Sequence, residues 1–213
     1  MRAALQEAAD VNIVAIGSSS TKGEGAKDEA SSYPGRLCAA FAARFARPII
    51  HVLNRGVDGE EAGNEEARFD KDVFPHNPPL VIWQVGTNGA WKEKDYVLAD
   101  VRDAILRGLD RLAATQTDVV LMNLQYAPAL LDEDRPKPRT QEMQDIIAQI
   151  ASDRRIGLFR RFEIMRYWHV NDGVRFDQMI SNFDGFWLHQ NDWSYNCVAQ
   201  ALCEGIISGV TSE

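Results

Sequence analysis

Apolar residues along the chain fall into two alternating patterns. Short, mostly apolar and β-branched runs recur at Val11–Ile16, Pro48–Leu53, Leu80–Val85, Asp118–Leu124 and Ile156–Phe159, as strands buried on both faces require. Between them apolar residues are spaced by three and four, the period of a helix with one buried face. Leu37, Phe41 and Phe45 follow Pro34 in this way; Leu98, Val101, Ile105, Leu109 and Leu112 mark a second helix, and Met143, Ile146, Ile147 and Ile150 a third. A terminal helix is expected over Trp193–Ile207, capped by Asn191 or Asp192. Strand alternating with helix predicts an α/β fold whose parallel sheet is covered on both faces. The 213 residues suffice for one good core, so a single domain over 1–213 is expected, with its core at about 11–207.

In open parallel sheets ligands bind beyond the carboxyl ends of the strands, which directs attention to the residues just after each run. After the first comes Gly17-Ser18-Ser19-Ser20-Thr21-Lys22-Gly23, after the second Asn54-Arg55-Gly56, and after the third Gly86-Thr87-Asn88. Ahead of the terminal helix lies Asp184-Gly185-Phe186-Trp187-Leu188-His189-Gln190-Asn191-Asp192. A phosphate loop needs Gly-Lys-Ser/Thr in that order, whereas Lys22 precedes Gly23, and Gly23-Glu24-Gly25 does not extend into a dinucleotide fingerprint. Nucleotide binding is therefore a distant reading. A hydroxyl, glycine amides, a side-chain amide and an imidazole are instead the parts of acyl transfer. A serine hydroxyl needs a base within hydrogen-bond reach. Histidine titrates near neutrality and can return the proton to the leaving group. The tetrahedral oxyanion needs preorganised donors, for which Gly56 N–H, the Asn88 side-chain amide and Ser19 N–H are candidates.

Composition narrows the field further. Apolar residues at 45% and charged residues at 25% are those of an ordinary globular protein. A net charge of −8 with no basic patch argues against nucleic acid and anionic lipid as partners. Cys38, Cys197 and Cys203 are too scattered for a disulfide framework or a metal site and read as buried thiols, so no metal is expected. No window is long and apolar enough to span a membrane. Met1–Asp10 lacks the apolar core of an export leader, so the cytoplasm is the default expectation, and a trimmed leader would place the protein outside it.

Gly17-Ser18-Ser19 after the first strand, Gly56 after the second, Gly86-Thr87-Asn88 after the third and His189 before the last helix resemble, in order and in register, the four blocks of the SGNH (GDSL-like) hydrolase superfamily. The resemblance covers almost the whole chain. It implies a flavodoxin-like three-layer α/β/α sandwich with a five-stranded parallel sheet, no cofactor, and hydrolysis of esters or thioesters. It maps the nucleophile to Ser19, the oxyanion donors to Ser19, Gly56 and Asn88, and the base to His189. Two positions depart from the pattern. The usual Gly-Asp-Ser block reads Gly17-Ser18-Ser19, and the acid generally found three residues before the histidine is replaced by Phe186. Asp184, five residues before His189, is expected to reach the ring through a bulged turn; Asp192 or a backbone carbonyl are the alternatives.

Of the other histidines, His51 is expected in the core, His76 at the surface and His169 in aromatic packing. Arg55, Trp91, Gln125, Tyr126, Trp187 and Trp193 stand near the strand ends or the four blocks, where aromatic walls suit an acyl chain or a sugar face. The polar stretch Asp132–Arg139 is expected to be a solvated loop rather than a lid. The reading that results is an esterase or acetylesterase, with carbohydrate O-deacetylation favoured by the tryptophans. A lysophospholipase or thioesterase on the same site is its nearest alternative, and a non-catalytic acyl- or carbohydrate-binding module with an uncoupled triad is its rival from another class.

Overall fold

The computed structural model describes residues 1, 3, 5 and 10–211; the opening segment inspected for a leader lies partly outside them. In chain order the elements are β1 (Asp10–Gly17), α1 (Ser19–Lys22), α2 (Tyr33–Arg44), β2 (Ile49–Gly56), α3 (Ala62–Ala67), α4 (Phe69–Asp72), β3 (Leu80–Gln84), α5 (Thr87–Trp91), α6 (Leu98–Ala114) and β4 (Asp118–Met122). Next come β5 (Leu131–Asp132), β6 (Arg135–Pro136), α7 (Pro138–Arg154), β7 (Gly157–Phe159), α8 (Arg161–Val170), α9 (Phe176–Met179) and α10 (Asp192–Thr211). The five principal strands form a parallel sheet in the order β2-β1-β3-β4-β7.

Burial on both faces explains the unbroken apolar runs. Along β1, Ile13 and Ala15 pack with Leu37 and Phe41 of α2 and Val198 and Leu202 of α10, while Val14 and Ile16 face Ile105 of α6 and Ile147 of α7. Successive residues of one strand thus feed opposite helix layers, giving the three-layer α/β/α sandwich.

Three local expectations need correction. His51 is exposed, because β2 is an edge strand with a neighbour on one side only. Asp132–Arg139 is not a loop: it closes the short antiparallel ribbon β5–β6 and then enters α7, with Pro138 in its first turn, where the missing N–H costs nothing. Of the three cysteines only Cys203 is buried; Cys38 and Cys197 are half-exposed. The Asn191 side chain caps α10 by accepting from Ser194 N at 3.1 Å.

Candidate active site

β1 ends at Gly17, and α1 begins two residues later. Ser18 and Ser20 are buried and Ser19 is not. The two buried serines turn inward onto the end of β3: Ser18 N, Ser18 Oγ and Ser20 Oγ each stand 3.0 Å from Gln84 Oε1, with Thr21 Oγ1 at 3.3 Å. Held on both sides, Ser19 points the other way, and its Oγ lies 3.0 Å from His189 Nε2. As the first residue of a helix, Ser19 also presents an N–H with no acceptor inside that helix.

His189 arrives from the far end of the chain on a segment that bridges back to Ile180 through Gln190. Gly25 makes room for it. Its φ is +86°, a conformation natural to glycine, and a Cβ there would stand 2.4 Å from the Gln190 carbonyl oxygen and 3.1 Å from His189 Cβ. The ring's other nitrogen, Nδ1, is 3.0 Å from Asp184 Oδ2. Asp184 Oδ1 accepts from Phe186 N at 3.0 Å, and Gly185 and Trp187 adopt positive φ of 78° and 53°. The two extra residues are taken up in this turn, which folds the carboxylate back onto the ring. Asp192 is engaged elsewhere, its Oδ1 accepting from Lys27 N at 2.8 Å.

Of the remaining candidates, Gly56 packs against the end of α1 and Asn88 lies in the short helix after β3. Gly56 ends β2 opposite Gly17 of β1, and a Cβ there would lie 2.0 Å from Lys22 N, so only glycine lets α1 cross the strand end. Its N–H donates to Asn54 Oδ1 at 3.0 Å. Asn88 is buried in α5 and gives one amide hydrogen to the Glu60 carbonyl at 2.7 Å, leaving the second unassigned. The turn bearing Asn88 is fastened by the buried Glu61, which accepts from Gly86 N at 2.7 Å and Gly89 N at 2.6 Å. Burial pushes the Glu61 carboxyl up against the pull of these N–H groups.

Beneath the surface the strand ends share a polar layer that the sequence did not announce. Gln84 donates toward Thr87 Oγ1 at 3.4 Å, Thr87 Oγ1 to Gln125 Oε1 at 3.0 Å, and Gln125 to the Leu188 carbonyl at 3.3 Å. Arg161, fully buried at the start of α8, completes it. These residues carry no periodicity; the signal available was position, since Gln84 ends β3 and Gln125, already singled out, follows β4. Of the singled-out aromatics, Trp91 packs edge-to-face on the exposed Phe186 at 5.3 Å, and exposed Phe183 lies 6.0 Å from the His189 ring. Tyr126, Trp187 and Trp193 pack against their surroundings, with Tyr126 stacked on Phe176 and Trp193 edge-on to Trp168. Arg55 and His76 bond each other at 3.1 Å, and His169 stacks on Phe176 at 4.2 Å. Among the described residues no three His, Cys, Asp or Glu side chains are grouped as metal ligands, and no helix is long and apolar enough to cross a membrane.

The sheet order and its covering helices are those of a three-layer α/β/α hydrolase-type fold, and the match to a family model says which family carries it here. Residues 1–212 match the model of the Non-GDSL lipase-like family, and the chain belongs to that family. A curated relative, an acetylxylan esterase from Geobacillus stearothermophilus, is 27% identical over 113 residues, which span 49% of this chain and 51% of the relative. The chain thus matches about half the length of that protein. Among solved structures, the lipase/acylhydrolase from Enterococcus faecalis superposes with a TM-score of 0.76 at 19% identity, covering 92% of this chain and 95% of that one. An acetyl xylan esterase, AlAXEase, superposes with a TM-score of 0.77 at 16% identity, covering 92% and 100%. At such identities these likenesses speak for the fold.

Proposed function

We propose that the protein is a serine ester hydrolase that removes short acyl groups, acetyl above all, from carbohydrates. The observation that carries this reading is the chain of contacts from Ser19 Oγ through the His189 ring to Asp184, each step 3.0 Å. Ser19 attacks the ester carbonyl while Nε2 takes its proton. The oxyanion is held by Ser19 N–H, the second amide hydrogen of Asn88, and the Gly56 N–H that Asn54 occupies at rest. Collapse expels the alcohol, protonated by His189. Water, deprotonated by the same ring, then releases the acid and restores Ser19. Asp184 keeps the proton on Nδ1 so that Nε2 is the free base.

The substrate class rests on surroundings and similarity. Phe183 and the Trp91–Phe186 pair offer aromatic faces beside a polar site, and apolar ring faces stack on the C–H faces of sugars. A nearby groove is lined by Glu24, Lys27, Asn191 and Asp192 together with Phe183 and Trp193, a mixture of polar and aromatic side chains that suits a sugar ring. The curated relative is an acetylxylan esterase.

Activated acetyl ester and acetylated xylooligosaccharide are expected to be hydrolysed, with rates falling as the acyl group lengthens. A serine-directed phosphonate is expected to label the protein once, and Ser19→Ala to abolish both turnover and labelling. Optimal rates on long acyl chains or thioesters would replace the sugar-ester substrate, and a wild type neither labelled nor active on any acyl length would overturn the hydrolase reading.

A further inference from the structure

Arg161 opens α8 just beyond the end of β7, with its side chain sealed from solvent. Its surroundings oppose it on three counts. A buried ion is costly unless an opposite charge compensates it, yet its hydrogen-bond acceptors are all neutral. No carboxylate among the described residues acts on it as a charged partner; the ionisable groups that act on it are Tyr33 and Tyr195. A cation in the first turn also faces the positive end of the helix dipole. Burial pulls the guanidinium down only to about 10, so it stays charged at neutral pH.

What the side chain holds explains its place. Nε donates to the Asn123 carbonyl at 3.1 Å and Nη2 to Gln125 Oε1 at 2.8 Å, which anchors the planar group on the segment after β4. Nη1 then stands 3.1 Å from Ser20 Oγ and 3.3 Å from Gln190 Oε1. Ser20 follows Ser19, and Gln190 follows His189. One nitrogen of a rigid fork therefore touches the neighbours of both reacting groups, which lie 170 residues apart in sequence. Gln84 fastens the nucleophile side alone, and Ser194, bonded to Gln190, the base side alone.

Building on the assignment of Ser19 as nucleophile and His189 as base, we propose that Arg161 is a positioning residue for acyl transfer. Its guanidinium ties Ser20 to Gln190 and so sets the separation of hydroxyl and imidazole. A guanidinium serves here because it offers five donors in fixed geometry, which a lysine cannot.

The test compares Arg161→Lys, Arg161→Met and Gln190→Leu with wild type on an activated acetyl ester, alongside phosphonate labelling rates and thermal melting. Misplacement of reacting groups by about 1 Å costs on the order of 10²-fold. Arg161→Met is accordingly expected to lose roughly that factor in kcat and in labelling rate, with KM within about twofold, and Arg161→Lys to recover part of it. If the Met variant does not fold, the Gln190→Leu and Arg161→Lys pair decides. Their combined loss in kcat should fall well short of the product of the separate losses, since both cut the same tie. Folded Arg161 variants with wild-type kcat, losses that multiply independently, or a loss confined to KM would overturn the proposal. A wild type that is neither active nor labelled would instead remove the hydrolase reading beneath it, so the two failures are distinguishable.

Discussion

The two ends of the parallel sheet are built from opposite materials. At the carboxyl ends of the strands Ser18, Ser20, Gln84, Thr87, Gln125, Arg161 and Gln190 are all buried and bonded to one another. At the amino ends lies a groove of about 580 Å3, walled by apolar residues including Leu80, Leu109, Val119, Leu202 and Ile206. A groove of the same volume, about 580 Å3, lies beside the candidate site, and the greasier of these two regions is not the one where the candidate chemistry stands. The reason is directional. Helices that come after strands begin at the carboxyl end, bringing their unsatisfied N–H groups and the turns before them to one rim. The other rim only receives helix ends and returning chain. Concavity alone therefore does not separate the two ends, whereas the convergence of buried polar side chains does.

If that contrast is real, changes at the polar rim should move activity far more than stability, and changes at the apolar end the reverse. The largest effect short of removing the nucleophile belongs to Asp184→Asn. An amide in place of the carboxylate no longer stabilises the protonated ring and permits the wrong tautomer, so kcat is expected to fall by about 10²- to 10⁴-fold with melting little changed, because asparagine keeps the Oδ1 acceptor for Phe186 N and the residues flanking it in the turn are exposed. A loss within threefold in steady-state kinetics would show that the turn at Gly185–Trp187 has no part in orienting His189.

Glu65 sharpens the comparison from between the two ends. It is buried in α3, where Trp83 Nε1 donates to Oε2 at 2.7 Å and Oε1 has no partner. Burial, with the nearby Glu61 charge adding to it, pushes its carboxyl well above the usual carboxylate range. The folded state therefore keeps a proton that the unfolded chain releases. Stability from this group is fully present below the ordinary glutamate value and is lost as pH rises toward the raised one. Glu65→Gln should remove that slope. It is expected to melt like wild type near pH 4 and to be more stable by about 1 kcal/mol or more near neutrality, with kcat unchanged. Equal melting temperatures across the range would mean that the carboxyl is ordinary.

The same division separates the features that could be read from the sequence from those that could not. Helix α6 was legible because Leu98, Val101, Ile105, Leu109 and Leu112 all turn inward on one long helix. Ser19, Asn88 and His189 were legible as candidates because each stands beside an element that its apolar pattern reveals. Helices α1, α3, α4, α5 and α9, of four to six residues, are too short to show a period. Arg161, Gln84 and Gln190 carry no pattern of their own that announces a shared buried layer, because their meeting comes from strand ends converging in space. His51 was misplaced for a related reason: an apolar run does not say whether its strand will be central or at an edge.

The smallest expected effect comes from the apolar end and is the cleanest control. Gly205 lies in the interior of α10, beside the groove, and a Cβ built on it meets no atom within 4 Å. Its φ is not in the left-handed region that would strain alanine. Gly205→Ala removes backbone freedom from the unfolded chain and adds a strong helix former, which is worth about 0.5–1 kcal/mol of stability. Melting should rise by a few degrees with kcat and KM unchanged, since nothing in α10 near residue 205 touches the polar layer. A variant that gained stability and lost turnover together would show the two ends to be coupled through α10, whose first turn adjoins His189 through Gln190 and Ser194, and would undo the separation on which the other predictions stand.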